Sequence, residues 1–277
     1  MRKNYFEILK EAKVNPVFEL NKIQNLLKEI FYENGYRCSV YALFSKNFKL
    51  YKNRGHILSL DELVSNIEKI PMTTEDRLFC FFEMYLDLLS TLPKRQSINL
   101  TRQVRCIEEQ IKCTTNLLGH KVVSIDNKMI IIEDNVFANE AVQVVTEFND
   151  VKEALSILEY NHFSNKGNID RKKEILIKIA SLLEPWRDDL NNNIAFKDVL
   201  KLDNKKVLAV EKLFRMFNTL NIRHNNDGQQ LTNMDNNTVE AWYDKIYTMS
   251  LFVILGKDVA QILADFNEFV DKDFILF

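Results

Sequence analysis

Arg223 and His224 are the adjacent residues of this sequence with the clearest potential for chemistry. The permanent positive charge of Arg223 disfavours protonation of the neighbouring imidazole, so we expect His224 to be neutral near pH 7. A neutral imidazole can act as a general base, and a guanidinium can stabilise charge that builds on a phosphate. An RNA strand supplies its own nucleophile, the 2′-hydroxyl, so this chemistry requires no cofactor. The supporting polar residues around the pair are Asn218, Asn221, Asn225 and Asn226.

The same segment can also be interpreted as an ordinary helix end. Phe214, Phe217 and Leu220 recur at helical spacing, and the polar residues that follow them run into Gly228. Asn, Asp and Gly tolerate the backbone conformations that stop a helix, so the histidine could simply be part of a helix cap. Both interpretations place the arginine and the histidine beside the end of a packed helix.

Basic side chains flank this segment although the formal net charge of the protein is only −2. Lys205, Lys212 and Arg215 share a stripe of the preceding helix that is separate from its apolar stripe, and Arg171 and Lys172 begin a neighbouring helix. Local positive charge suits RNA, because contacts with phosphates supply affinity that does not depend on sequence. These five residues are the predicted RNA contacts, and a solvated helix face is the alternative.

Other familiar kinds of site have little support in the sequence. His56, His120, His162 and His224 are isolated from one another, and none has the spacing of metal ligands. There is no glycine-rich loop for phosphates and no convincing serine or cysteine nucleophile. The cysteines lack CxxC spacing, so we expect reduced, mostly buried thiols. We therefore predict neither a metal site nor a cofactor.

The composition indicates a mainly α-helical protein. The chain has 277 residues, 46% of them hydrophobic, with only six glycines and four prolines. Such a chain can bury a sizeable core, and few glycines and prolines favour long helices over a turn-rich β protein. The start lacks the apolar run of a signal peptide, and no uninterrupted apolar stretch approaches the roughly 20 residues that span a bilayer. We therefore expect a cytoplasmic protein without a membrane segment.

A helical amino-terminal domain is predicted over 1–118. Apolar spacing indicates helices over 17–33, over 58–70 with Ser59 as a possible cap, and over about 99–118. Between them, a helix that starts within 71–76 with a threonine cap should run to about Leu92 and form the buried centre. The segment from Tyr36 to Tyr51 fits either a strand or a buried helix.

A β-hairpin and a connecting helix are predicted over 119–149. Two apolar runs, 121–125 and 129–133, flank the polar turn at 126–128. From about 138 onward we expect helices only, and 150–277 should contain four principal helices, enough for a bundle. The helix over 204–220 leads into the polar segment that contains the arginine and the histidine. The last helix could be interrupted at Gly256.

The second half of the chain, from about 120 to the end, resembles bacterial abortive-infection-type proteins of the HEPN superfamily. The resemblance is carried by the residues at 154–160, 167–176, 183–185 and 221–225, and by the Ile132-Glu133-Asp134-Asn135 sequence that follows the hairpin. It implies a carboxy-terminal four-helix bundle that dimerises and brings a polar motif from each protomer into a cleft. It also implies metal-independent endoribonuclease activity, which many members have, often as toxins or anti-phage effectors.

Carried over onto this chain, the resemblance makes His224 the catalytic base or acid, Arg223 the phosphate stabiliser and Asn218 a supporting polar group. In the usual motif the histidine follows the arginine by about four to six positions. Here Arg215 precedes the histidine by more than that, and Arg223 is directly adjacent to it. The expected partners are RNA and a second copy of the chain.

Two further hypotheses do not require catalysis. In the first, the bundle is a dimerisation and interaction module that binds a phage protein or an antitoxin, as the near-neutral charge and the unusual motif spacing suggest. In the second, the protein binds a nucleotide without turning it over. The direction of the His224 side chain distinguishes the first from the enzyme, since a base must face an open basic groove.

Overall fold

The computed structural model of this protein describes residues 13–33, 35–92, 97–148, 151–200, 202–203, 206–223 and 234–273. It divides into two compact units, Met1–Asp134 and Asn135–Phe277. The described residues are mainly helical, and their strands form three two-stranded antiparallel sheets. The mainly α-helical fold class predicted from composition is therefore confirmed.

The first unit is built around one buried helix. Its elements in chain order are α1 (Pro16–Lys28), β1 (Phe31–Glu33), β2 (Tyr36–Cys38), α2 (Val40–Asn47), α3 (Leu60–Lys69), α4 (Thr74–Ser90), α5 (Ile98–Leu117), β3 (His120–Ile125) and β4 (Lys128–Glu133). Short 3₁₀ turns at Phe48–Leu50 and Lys52–Arg54 connect α2 to α3. Helix α4 begins at the Thr73 cap, whose hydroxyl accepts the Asp76 N–H at 3.0 Å, and buries most of its apolar residues. This is the central helix that the sequence predicted.

The hairpin belongs to the first unit. Asp126 and Asn127 both have positive φ, 49° and 61°, as a two-residue type I′ turn requires. Ile131 and Ile132 of β4 are fully buried, and the carboxylate of Glu83 on α4 accepts the Ile131 N–H at 2.6 Å. The predicted 119–149 segment is thus divided, because its hairpin lies in the first unit and its helix lies in the second.

The second unit contains the four principal helices that were predicted after residue 150, with shorter elements between them. Its elements are α6 (Val136–Phe148), α7 (Val151–Glu159), α8 (Ile169–Leu183), α9 (Arg187–Asn192), α10 (Ile194–Val199), β5 (Leu202–Asp203), β6 (Lys206–Val207), α11 (Leu208–Thr219) and α12 (Asn236–Asp273). A 3₁₀ turn at Glu184–Trp186 follows α8. Helix α12 packs against α6, α8, α10 and α11, which makes it the common support of this unit.

Two predictions about local structure are wrong, and one that was left open is resolved. The first helix ends at Lys28 rather than at residue 33, because residues 31–33 pair with residues 36–38 as a small sheet. The 36–51 segment is both strand and helix, and a short strand pair at 202–203 and 206–207 interrupts the expected all-helical region. The secondary-structure propensities of single residues do not identify such two- and three-residue strands, because these segments are extended only where they pair with a neighbouring strand.

Gly256 lies inside α12 and does not interrupt it. A Cβ atom at this position would lie 3.0 Å from Cε2 of Phe196, a fully buried residue of α10. The glycine therefore permits a close approach between the two helices instead of breaking one of them.

The expected burial of the cysteines is also wrong for Cys106 and Cys113, which are exposed thiols on α5.

Among the described residues, one helical segment, Asn236–Phe269, is long and apolar enough to cross a membrane. The sequence predicted none, because the apolar residues of this helix do not form one uninterrupted run. Of the most apolar window, 44% is buried inside the protein. Core helices meet the same criterion of length and composition, so the segment is weak evidence for a membrane span.

Candidate functional site

The end of α11 places Arg223. Phe214 and Phe217 are fully buried and fix the helix, and Asn221 adopts a positive φ of 56° directly after it. The carbonyl of Phe217 accepts the N–H groups of Ile222 at 2.9 Å and Arg223 at 3.2 Å, which closes the helix end. Ile222 is itself buried and anchors the turn. The helix therefore ends at these residues, as both interpretations of the segment predict.

The guanidinium of Arg223 is held from two directions. Its Nη2 atom lies 2.6 Å from Oε1 of Glu184, which belongs to the 3₁₀ turn after α8. Its Cζ atom lies 5.7 Å from the centroid of the Phe214 ring, within the range of a cation–π interaction. The side chain remains 21% exposed. An arginine carries five N–H donors, so the ion pair with one carboxylate does not exhaust its capacity.

Arg223 and Glu184 line an open depression in the surface of the second unit. Its volume is about 380 Å³, and its other lining residues are Ile177, Ser181, Pro185 and Ile222. Two acceptors near this end of α11, Glu184 Oε2 and Asn218 Oδ1, are buried and have no hydrogen-bond partner within the described residues. A buried acceptor without a donor costs about 1–3 kcal/mol, so a donor that reached these atoms would bind favourably.

A network at the other end of α11 keeps this helix in place. Glu211 accepts hydrogen bonds from Arg187 at 3.1 Å and from Asn191 at 2.9 Å, and Asn191 in turn accepts the Val207 N–H at 3.0 Å. Burial by itself would raise the pKa of Glu211, but these hydrogen bonds and the charge of Arg187 outweigh it and lower that pKa. Sequence reasoning missed this network because its members belong to three separate elements, α9, β6 and α11.

The structure separates the predicted RNA contacts into different environments. Lys212 and Arg215 are exposed on α11. Arg171 pairs with Glu159 of α7 and with Glu174 one turn later on α8. His224, Asn225, Asn226 and Lys205 lie outside the described residues. The structure therefore brings Arg223, Asn218 and Asn221 together at one helix end.

Lys172 has a different environment from the other predicted contacts. Its side chain is only 9% exposed, and its Nζ atom lies 2.7 Å from carboxylate oxygens of both Glu240 and Asp244 on α12. Tyr160 also donates to Asp244 at 2.8 Å and stacks on Tyr247 with ring centroids 4.1 Å apart. Burial and the hydrogen bond to Asp244 raise the pKa of Tyr160, so the phenol stays a donor. This lysine joins α8 to α12, and we leave it out of the proposed RNA surface.

The described residues contain no group of three or more His, Cys, Asp or Glu side chains that could hold a metal ion. Comparison with known proteins finds no matching family model, no similar curated protein and no similar solved structure. Functional inference for this chain therefore depends on its own residues and their geometry.

Proposed function

We propose that this protein is a HEPN-type endoribonuclease of anti-phage defence, which cleaves RNA through Arg223 and His224 without a metal cofactor. The observation that supports the proposal best is the position of Arg223. Its guanidinium lies at the edge of an open depression, at the end of a rigid helix, and next in sequence to the only histidine of that segment. Such an arrangement suits a phosphodiester, because a fixed cation can stabilise the charge of the transition state.

In the proposed reaction His224 removes the proton of a ribose 2′-hydroxyl. The 2′-oxygen attacks the adjacent phosphorus, the bond to the 5′-oxygen breaks, and the leaving oxygen takes a proton from the imidazolium. The products are a 2′,3′-cyclic phosphate and a 5′-hydroxyl end. Arg223 donates to the non-bridging oxygens while they gain charge, and Glu184 fixes the plane of the guanidinium through the ion pair.

Lys212 and Arg215 supply the proposed electrostatic contacts with the RNA backbone. Both are exposed and lie on the helix that leads to Arg223. Arg171 is paired with Glu159 and Glu174 at the opposite end of α8 from Glu184, so we leave it out of the proposed RNA surface as well. Each phosphate contact that is lost should weaken binding to all RNA sequences alike and reduce its dependence on salt. Replacement of Lys212 and Arg215 with Gln tests this by RNA binding at several salt concentrations.

The decisive experiment is RNA cleavage in EDTA by the wild type, His224→Ala, Arg223→Ala and Lys197→Ala, with Lys197 as a basic control from α10. We expect cyclic-phosphate products from the wild type and from the control. We expect a loss of at least about a hundredfold in rate for the two site variants, since each removes a group that acts in the transition state. Intact RNA with the wild type, or equal cleavage by all four proteins, would show the proposal to be wrong.

The proposed enzyme is a homodimer that forms through α12. Exposed apolar residues follow one stripe of this helix: Phe252, Val259, Ile262, Phe266 and Phe269. Together they expose roughly 500 Å² of surface, and a two-fold contact that covered all of it would bury on the order of 1,000 Å² in total, about the area that a biological interface should exceed. Phe252 and Phe266 lie seven residues on either side of Val259, so an antiparallel copy centred on Val259 would match Phe252 with Phe266.

Size-exclusion chromatography with light scattering tests the dimer with Phe266→Glu, and Gln261→Glu on the opposite side of α12 is the control. We expect the wild type and the control to elute as dimers and Phe266→Glu to elute as a monomer. A wild-type monomer at micromolar concentration would contradict the proposed dimer.

A second candidate function is a non-catalytic module that binds a phage protein or an antitoxin. The ion pair with Glu184 and the contact with Phe214 favour it, because they give Arg223 a purely structural reason to be where it is. In that case Arg223→Ala should lower stability, and neither the wild type nor the variant should cut RNA.

A further inference from the structure

The depression beside Arg223 has room for more than a phosphate. Its volume of about 380 Å³ lies within the range of roughly 300–1,000 Å³ that is typical of ligand pockets. We call it the Arg223 depression, and all of its lining residues belong to the second unit. Its walls combine three apolar and three polar side chains: Ile177, Pro185, Ile222, Ser181, Glu184 and Arg223. A phosphate held by the guanidinium would leave the apolar walls and the other two polar groups without a contact.

The carboxylate of Glu184 has an unused acceptor. Its Oε1 atom pairs with Nη2 of Arg223 at 2.6 Å, whereas its Oε2 atom is buried and has no donor within the described residues. A buried acceptor without a donor costs about 1–3 kcal/mol. The side chain is 39% exposed, and the terminal torsion of a glutamate is soft, so a ligand in the depression can reach the carboxylate. A ligand that carries N–H groups is therefore favoured here.

Ser181 provides a second acceptor in the same depression. Its hydroxyl donates to the carbonyl of Ile177 at 2.9 Å, which uses the single hydrogen of the group and leaves lone pairs on the oxygen. Ser181 is exposed and precedes Glu184 by three positions, so the two acceptors lie on the same side of the end of α8. Apart from Arg223, the polar side chains that line the depression therefore offer acceptors to a ligand.

These acceptors distinguish among the bases of RNA. Guanine has two adjacent donor groups on its Watson–Crick edge, the N1–H and the N2 amino group. Adenine and cytosine each have one amino group beside an acceptor, and uracil has one N–H between two acceptors. Proteins recognise unpaired RNA bases by hydrogen bonds at this edge and by contacts with the faces of the ring. Guanine is the base whose edge supplies donors to both Glu184 and Ser181.

We propose that the Arg223 depression binds a guanine base next to the scissile phosphate, and that the protein therefore cleaves RNA beside guanine. The N1–H donates to Glu184 and the amino group donates to Ser181, while Pro185 and Ile222 cover the ring and Arg223 contacts the phosphate. The inference rests on the proposed ribonuclease, because it is the phosphate at Arg223 that brings a base to the depression. It adds to that proposal the base that determines where the RNA is cut.

Ligand-observed NMR titration of the full-length protein tests the site with the 3′-monophosphates of guanosine, inosine and adenosine. The three probes share the ribose and the phosphate, so their differences report on the base. Inosine lacks the amino group of guanine, and adenine lacks its N1–H. We expect saturable binding of the guanine nucleotide and binding of the other two that is at least about tenfold weaker, because each leaves an acceptor unpaired. Equal affinity for the three probes, or failure of the guanine nucleotide to saturate, would overturn the proposal.

Two variants assign the contacts to individual side chains. Ser181→Ala should lower the affinity for the guanine nucleotide to that for the inosine nucleotide and leave the latter unchanged, since only the amino group contacts Ser181. Glu184→Gln keeps the size of the side chain but replaces an acceptor with a donor, and it should abolish the preference for guanine over adenine. Glu174→Gln changes an exposed carboxylate of α8 outside the depression and should keep both preferences. Unchanged preferences in both depression variants would contradict the assignment, and their melting temperatures exclude loss of the fold.

Sequencing of the cleaved ends separates this inference from the proposed ribonuclease. We expect cuts beside guanine to be at least about tenfold more frequent than cuts beside each other base. Cuts distributed evenly among the bases would overturn the guanine site and leave the ribonuclease in place. Intact RNA together with selective binding of the guanine nucleotide would instead overturn the ribonuclease and support the guanine site, since the mononucleotide titration does not depend on cleavage.

Discussion

Lys172 and Arg223 are both basic residues at helix ends of the second unit, and the structure uses them in opposite ways. Lys172 lies between two carboxylates, Glu240 and Asp244, and its side chain is almost fully covered. Arg223 meets one carboxylate, Glu184, and lines an open depression. Local positive charge in a sequence therefore does not distinguish a residue that holds helices together from one that can still accept a ligand.

The surroundings of the two cations explain the contrast. An ammonium has three donors, and the contacts of Lys172 with two carboxylates and with the face of Tyr160 account for its charge. A guanidinium has five donors in a planar fork. Arg223 uses Nη2 in its ion pair with Glu184, so its other donors can still make a bidentate contact with a phosphate. The same charge therefore supports packing in one place and recognition in the other.

The largest effect should follow removal of the lysine. Lys172→Met leaves Glu240 in a mostly buried position without its cation, and breaking a buried ion pair on one side costs about 3–5 kcal/mol. Since Asp244 is half exposed, we expect about 2–3 kcal/mol of lost stability. Chemical denaturation measures the change, with Lys212→Met, an exposed lysine of α11, as the control that should stay within about 0.5 kcal/mol. A loss of stability below about 1 kcal/mol would show that Lys172 and Arg223 do not differ in how much they stabilise the fold.

A smaller effect is expected at Arg223, because its pair with Glu184 is partly exposed. A double-mutant cycle with Glu184→Gln and Arg223→Ala should give a coupling energy of about 1 kcal/mol. If the protein is the proposed enzyme, Arg223→Ala must also lower the rate of RNA cleavage. That decrease must be much larger than the small loss of folded protein could cause. A coupling energy of about 2–3 kcal/mol, as large as the loss expected for Lys172→Met, together with unchanged RNA cleavage would instead assign Arg223 to packing.

The contrast also marks the limit of what the sequence could predict. Apolar spacing and caps identified α4 with its threonine cap, the hairpin turn at 126–127, and the helix that ends beside Arg223. The partners of the cations were not predictable, since Glu184 precedes Arg223 by 39 positions and Asp244 follows Lys172 by 72. Periodicity shows which face of a helix is apolar, but it does not show which distant carboxylate meets a given cation.

The smallest expected effect is the pH dependence of stability at the lysine cluster, which consists of Lys172, Glu240 and Asp244. Burial alone would raise the pKa of Glu240, but its bonds with Lys172 and with the Gly167 N–H outweigh burial and lower it. A carboxyl group whose pKa is lower in the folded state stabilises the fold above its unfolded pKa, about 4.3 for glutamate, and loses this contribution as the pH falls through the lower folded value. Glu240→Gln should therefore flatten the loss of stability below about pH 4 relative to the wild type. Denaturation between pH 7 and pH 3 measures the two slopes, and Glu140→Gln, an exposed carboxylate of α6, is the matched control. Identical slopes for all three proteins would mean that the lysine cluster gains nothing from the ionised carboxylate, and the contrast with Arg223 would then rest on burial alone.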